Sequence, residues 1–297
     1  MIDYIILTDT CSDLDSKTLK EIECEMVKTH IFIDDKDYLC DNDWITFSSK
    51  EFYDMIRNKK RIKTSQVDSF QFLDVFRKYN EQNMGVIYIA TSSALSNCLN
   101  EARRAKEEIL KENEKARIEI IDSLNACYSL GMLVIKACKL RKDGYSYEQL
   151  IEWIVNNKFK FNESGSVGDL TYLRNAGRIS GTAAFFGGLL ALKPIIVLNE
   201  RGQNNDFEKV KGRKASYKRS AEIIRDNIDI DFDDNIHICH ADCEDDVKEF
   251  ASILLNLLGD KKVNLHYHII DPTIGASVGP GTFIVDFASK EELRYIK

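Results

Sequence analysis

The chain has 297 residues, enough for one large or two medium domains, each with its own core. Hydrophobic residues are 44% and charged residues 30%, an ordinary mix for a globular fold, and the net charge is −7. Binding a phosphate backbone needs a basic stripe, and only KVKGRK at 209–214 approaches one, so nucleic acid is not an expected partner.

The N-terminus, MIDYIILTDT, carries Asp3 where a signal peptide would be basic, so a cytoplasmic location is expected. IDYIILTDT (2–10) predicts a strand, and SDLDSKTLKEIE begins a helix. MVKTHIFID (26–34) predicts a second strand. Ser48 and Glu51 form a capping box before EFYDMIRN, and FQFLDVFRKY places Phe72, Leu73, Phe76 and Tyr79 at helical spacing. GVIYIA (85–90) and RIEIID (117–122) are continuous apolar strands, each followed by a helix, which suits a parallel sheet covered on both faces. The expected fold class is α/β: an N-terminal three-layer domain with a parallel sheet, then a C-terminal α/β domain with a mixed sheet.

The pattern changes after NNKFKFNESGSVG, and the domains are set at 1–163 and 164–297. A helix through FFGGLLAL leads to the strand PIIVLNE, a turn at Arg201-Gly202 and a returning strand in FEKVKGRK. The helix RSAEIIRDNI, the strand NIHICHA, the helix VKEFASILLNLL and strands around HYHII and TFIVDF complete the chain. The longest apolar run, AAFFGGLLAL, has about half the roughly 20 residues that span a bilayer, so no membrane-spanning helix is expected. The eight cysteines form no compact framework and fall mostly within apolar strands and helices, as small core residues of a reduced protein do.

Five short segments carry polar groups of interest. VIYIATSSALSN runs from a strand into a helix through Thr91, Ser92, Ser93 and Ser96, placing hydroxyls beside helix-start amides. Such hydroxyls bind one anionic oxygen group or merely cap the helix. KTSQVDSF places Thr64 and Ser65 in an expected loop before the next helix, so two hydroxyl-bearing loops converge on one carboxylate if both lie at the sheet's carboxyl end. TYLRNAGRIS carries Arg174 and Arg178 around Gly177: an anion site, or a helix end with a glycine cap. HICHADC gathers His237, Cys239, His240 and Cys243, but strand alternation separates them and no second ligand pair has matching spacing, so no metal is expected. TIGASVGPG reads as a glycine-rich connection between two strands.

In this order, ILTDTCSDL, KTSQ, SSALS, IIDS, YLRNAGRIS, LLALKPII, KVKGRK, ICHAD and GPGT resemble the DegV family of bacterial fatty-acid-binding proteins over nearly the whole chain. The resemblance implies two α/β domains with an acyl chain between them and a long-chain fatty acid as ligand, with no other cofactor. It implies that Thr64 and Ser96 hold the carboxylate, with Ser65, Ser92, Ser93 and Ser277 in support. It also implies a separate fatty-acid kinase that phosphorylates the presented carboxylate with ATP for phospholipid synthesis, and it assigns Arg178 to work with that kinase. The chain departs from the family at Asn97-Cys98, where Gly-Thr is usual, at Ala176, where Gly is usual, and at Ser277, where a histidine is usual. The protein itself is then not an enzyme. A hydrolase or transferase using Ser96 or Cys98 as nucleophile is the alternative, but no histidine lies near either in sequence. A lipid-responsive regulatory protein is a third reading.

Overall fold

The computed structural model describes residues 3–179 and 192–295. The elements run β1 (Tyr4–Asp9), α1 (Ser16–Ile22), β2 (Glu25–Val27), β3 (His30–Ile33), β4 (Lys36–Leu39), α2 (Ser49–Arg57), β5 (Ile62–Ser65) and α3 (Ser69–Glu81). Next come β6 (Gly85–Ala90), α4 (Cys98–Glu112), β7 (Ile118–Asp122), α5 (Cys127–Lys142) and α6 (Tyr147–Asn157). The remainder is β8 (Phe161–Ser166), α7 (Leu170–Ala176), β9 (Leu192–Leu198), β10 (Asn204–Lys211), α8 (Arg213–Asn227), β11 (Asn235–His240), α9 (Glu244–Leu258), β12 (Asn264–Ile269), α10 (Pro272–Val278) and β13 (Phe283–Ala288). The helix expected through FFGGLLAL lies largely outside the described residues.

Two units result. The first comprises residues 1–46, 61–158 and 271–273, and the second 47–60, 159–270 and 274–297. The expected division at 163/164 would cut β8 in half; the change of unit falls at 158/159 instead. The units are also not contiguous in sequence, because α2 belongs to the second one.

In unit 1 a parallel sheet has the order β2-β1-β6-β7. Leu7, Val86, Tyr88 and Ala90 face one core with Phe72 and Phe76 of α3 and Leu99, Ala102 and Ile109 of α4. The alternate residues Ile6, Ile87 and Ile89 are also fully buried, and α5 and α6 pack on this sheet as well. Continuous apolar strands follow from burial on both faces. MVKTHIFID is not one strand: it splits at Lys28-Thr29 into β2 of this sheet and β3 of a separate antiparallel sheet, β4-β3-β5.

Unit 2 holds a mixed sheet, β10-β9-β8-β13-β11-β12, antiparallel except for the β11–β12 pair. Ile236, Ile238, Val285 and Phe287 build a core with Tyr217, Ile224, Phe250 and Leu254 of α8 and α9. Ser164 and Ser166 bond Ser220 and Ser216 of α8 at 2.9 and 2.7 Å on that same side. The capping box of Ser48 and Glu51 starts α2, whose Phe52, Tyr53 and Ile56 are buried; the Tyr53 hydroxyl donates to the Ile270 carbonyl at 2.9 Å.

The other face of this sheet carries a row of titratable groups. Glu163, Asp286, His237 and His266 stand opposite one another across β8, β13, β11 and β12. Glu163, Asp286 and the guanidinium of Arg294 are buried, and Arg294 donates to the Phe161 carbonyl at 2.7 Å. Burial pushes Glu163 up from 4.5 to about 7 against the pull of Arg294. Burial, with repulsion from His268 and His266, pushes His237 down from 6.5 to about 2.

The two shifts act with opposite sign. From about pH 4.5 to 7 the folded chain keeps a proton on Glu163 that the unfolded chain has lost, so this contribution to stability falls as pH rises. Below pH 6.5 the unfolded chain protonates His237 and the folded chain does not, so that contribution falls as pH drops. Glu163→Gln removes only the first. Urea denaturation should show the stability of Glu163→Gln relative to wild type improving as pH rises from 4.5 to 7, by at most ~1.4 kcal/mol per pH unit. A gap that stays constant across the window would show that Glu163 binds no excess proton in the folded state.

Candidate functional site

The carboxyl end of the parallel sheet in unit 1 is organised around a buried acid. Asp9, the last residue of β1, is fully buried. Its carboxylate accepts from the Tyr88 hydroxyl at 2.7 Å, the Thr91 amide at 3.0 Å and the Cys11 amide at 3.1 Å. Desolvation raises its pKa, and these three donors oppose the rise. A chain of hydroxyls runs alongside, with Thr10 and Thr29 at 2.7 Å and Thr29 and Thr273 at 2.6 Å.

Thr91 opens the TSSALS turn, and the amides here are largely committed. Ser92 N–H donates to the Asn125 carbonyl at 2.8 Å, Ser93 N–H to the Asp122 carboxylate at 3.2 Å, and Ala94 N–H to Ser92 Oγ at 3.3 Å. Leu95 and Ser96 N–H both donate to the Ser92 carbonyl at 3.0 Å. The expectation of unpaired helix-start amides beside the hydroxyls is therefore corrected for Ser92 to Ser96: the turn folds on itself and uses them. Asn97 stands at the N-cap of α4 without a side-chain cap bond. Ser93 is exposed, Ser96 half-buried and Ser92 buried.

Thr64 and Ser65 lie in β5, a strand, where the sequence predicted a loop. β5 pairs with β3 so that Thr64 stands opposite Ile31 and Ser65 opposite His30. Strand alternation sends the two hydroxyls to opposite faces. Thr64 shares its face with the buried Ile31 and Ile33; Ser65 faces the side of His30, which bonds Asp37 at 3.0 Å and Asp68 at 3.2 Å. Ser65 is thereby corrected from a partner of Thr64 in one grip to a residue of the other face. The Thr64 side chain has no hydrogen-bond partner among the described residues.

One sulfur joins the two segments. Cys98, fully buried at the start of α4, receives the Val67 amide at 3.4 Å and the Ser96 hydroxyl at 3.1 Å. The Cys98 amide in turn donates to Ser96 Oγ at 3.4 Å. The stretch just after Thr64 and the turn bearing Ser96 thus meet at one atom. Burial and the nearby Asp9 push the Cys98 thiol up to about 12, so it is neutral and a poor nucleophile. Sequence reading missed Asp9, Tyr88 and Asp122 as the residues that shape this region; an acid directly after an apolar strand, as in ILTD and EIID, was the available signal.

The other predicted residues lie in unit 2. Arg178 follows Gly177, the left-handed C-cap of α7 with φ 69°, as a helix-end reading requires. Its carbonyl accepts from the Asn204 side chain at 2.9 Å. Ser277 is half-buried in α10, so TIGASVGPG is mostly helix and only Gly279-Pro280-Gly281 is the turn. Gly279 has φ 76°, and a Cβ there would stand 2.1 Å from the Tyr172 ring, so a side chain is excluded twice over. In HICHADC, His237 contacts His268 at 3.0 Å while the Cys243 amide donates to His240 at 3.3 Å; among the described residues no group of three or more His, Cys, Asp or Glu can hold a metal. A cavity of about 660 Å³ in unit 2 is lined by five carboxylates, among them Asp169, Asp242 and Asp246, against Arg57 and Arg213. That excess of negative charge disfavours a carboxylate ligand there. Among the described residues no helix is long and apolar enough to cross a membrane.

The fold is that of solved two-domain DegV structures. A DegV family protein from Thermus thermophilus, described by its fatty acid binding, superposes with a TM-score of 0.83 at 23% identity, covering 97% of this chain and 100% of that one. A stearic acid-binding protein from Eubacterium ventriosum gives the same TM-score and identity, covering 97% and 99%. The family model for DegV, described as an uncharacterised protein family, matches residues 4–290. A DegV domain-containing protein from Clostridium perfringens is 34% identical over 284 residues, 96% of this chain and 97% of that protein. The chain belongs to the DegV family.

The Asp9 network supplies a direct test. Asp9→Ala would leave the buried Tyr88 hydroxyl and Thr91 amide without their acceptor. Urea denaturation should show a loss of about 2 kcal/mol or more, with Asp9→Asn losing less because an amide oxygen still accepts. Equal losses in the two variants would show that packing, not acceptance, is what Asp9 contributes.

Proposed function

We propose that this protein binds one long-chain fatty acid and holds its carboxylate with the hydroxyls of Thr64 and Ser96. Ser93, exposed on the same turn, is the supporting hydroxyl best placed to join them, and Ser92 shapes the turn through its own Oγ and carbonyl. The observation that carries the reading is the meeting of the two hydroxyl-bearing segments at Cys98 Sγ, with the Thr64 hydroxyl uncommitted among the described residues. The fatty-acid binding named for the Thermus thermophilus and Eubacterium ventriosum proteins supports the choice of acid. The finer role is that of a cytoplasmic carrier. It presents the carboxylate to a separate ATP-using fatty-acid kinase, with Arg178 toward that partner.

A nucleophilic enzyme finds little support in the same residues. The Cys98 thiol is buried and raised to about 12, and Ser96 is hydrogen-bonded to that sulfur instead of to a base. Holding a carboxylate needs donors only, and hydroxyls supply them.

Native mass spectrometry of protein purified from cells should show a co-purifying acyl chain. A hydrogen bond to a charged group contributes roughly 1.5–3 kcal/mol, so Thr64→Val and Ser96→Ala should each weaken fatty-acid binding at least several-fold with the fold retained. Unchanged affinity in both variants would remove this assignment. Transfer of phosphate from ATP to the bound acid by a fatty-acid kinase, reduced in Arg178→Ala at unchanged affinity, tests the carrier role.

A further inference from the structure

The two segments assigned to the carboxylate are short and polar. Thr64 is the third residue of the four-residue strand β5, and Ser96 closes a turn. The two segments are connected through Val67 and Cys98, both completely buried in the core cluster that also contains Phe72 and Leu99.

The sulfur makes two different contacts there. It accepts the Val67 amide at 3.4 Å, which fixes the exit of β5 against the start of α4. It also accepts the Ser96 hydroxyl at 3.1 Å, while Ser96 Oγ takes the Cys98 amide at 3.4 Å. A neutral thiol is a weak acceptor. A hydroxyl resting on it gives up little when a carboxylate arrives, since charge-assisted hydrogen bonds are roughly twice as strong as neutral ones. The thiol hydrogen can then turn to Ser96 Oγ, so the donor direction along Ser96–Cys98 reverses without moving either backbone. No alkyl side chain can do this.

We infer that Cys98 is a positioning residue of the carboxylate site: its sulfur ties Val67 to Ser96 and parks the Ser96 hydroxyl until the acid displaces it. The inference rests on the assignment of Thr64 and Ser96 to the carboxylate. Cys98 does not touch the ligand in this scheme; it acts through Ser96 and through the segment that follows Thr64.

The test compares Cys98→Val, which keeps the bulk and loses the acceptor, with Cys98→Ser, which keeps acceptor and donor. Ile109→Val, in the same core cluster but with no polar contact, serves as a control for loss of stability alone. Oleate affinity and thermal stability are measured for all four proteins. Cys98→Val should bind oleate about five-fold or more weakly, the order expected for losing the neutral hydrogen bond that the thiol gives Ser96 Oγ once the acid is bound, while Cys98→Ser stays within about two-fold of wild type. Ile109→Val should lower stability without changing affinity. Equal affinity in Cys98→Val and wild type overturns the role of Cys98 and leaves the carboxylate assignment standing. Equal weakening in Cys98→Ser and Cys98→Val, or weakening in Ile109→Val, also overturns it, because packing would then suffice. A wild type that binds no oleate overturns the carboxylate assignment and this inference together.

Discussion

A carboxylate sealed from water at the end of β1 constrains most of unit 1. Asp9 lies beyond the reach of solvent, and burying it is tolerable only because three donors converge on it. Those donors come from the next central strand through Tyr88, from the first residue of the TSSALS turn through Thr91, and from the chain's own continuation through Cys11. The register of β1 against β6 and the starting point of the turn are therefore set by one side chain. The hydroxyls of Ser92, Ser93 and Ser96 hang from a turn whose origin cannot shift without breaking a buried charge-assisted bond. The same low-dielectric surroundings raise the thiols of Cys11 and Cys98, for which Asp9 is the next largest cause after desolvation.

Unit 2 meets the same problem differently. Its buried acids, Glu163 and Asp286, stand directly opposite each other in adjacent strands, and backbone amides of the sheet are already engaged with one another. Relief comes from charge instead: Arg294 lies buried with them, itself anchored by main-chain carbonyls. For Glu163 the cost of burial outweighs the pull of that arginine, which is why its pKa stands at about 7, above the usual carboxylate range.

How much was legible in the sequence follows from where the signal resides. The strands GVIYIA and RIEIID, and the helix bearing Phe72, Phe76 and Tyr79, announce themselves because hydrophobic periodicity is a local property. β5 does not: IKTS has one apolar residue, and its strand state comes from pairing with β3, a contact outside its own window. The break of MVKTHIFID at Lys28-Thr29 was invisible for a related reason, since both pieces are strands and only the partner sheet differs. In TIGASVGPG the glycines outweighed Pro272, which pre-sets the first turn of a helix. At the site, the hydroxyls could be named from sequence because residue type alone marks them. For Asp9 the sequence offers only an acid at the end of an apolar strand, and its role, like that of the Cys98 sulfur, is made by burial and by partners far away in the chain.

The distribution of proton-carrying groups bears on what unit 1 can do. Of the five histidines, only His30 belongs to unit 1, and it lies on the face of β3 shared with Ser65, between Asp37 and Asp68. Thr64 is on the opposite face, so the imidazole and that hydroxyl are divided by the sheet itself. Ser96 itself is bonded to a thiol raised to about 12, and Asp9 at the end of β1 is a buried carboxylate already occupied by three donors. Neither stands to Ser96 as a general base must: the neutral thiol is a weak acceptor, and the Asp9 carboxylate bonds Tyr88, Thr91 and Cys11 instead. What the region does offer is neutral O–H groups on a turn whose own amides are satisfied, with a soft acceptor beneath them. Such donors gain most from a ligand that brings its own negative charge, because the incoming carboxylate replaces a weak neutral contact by a charge-assisted one.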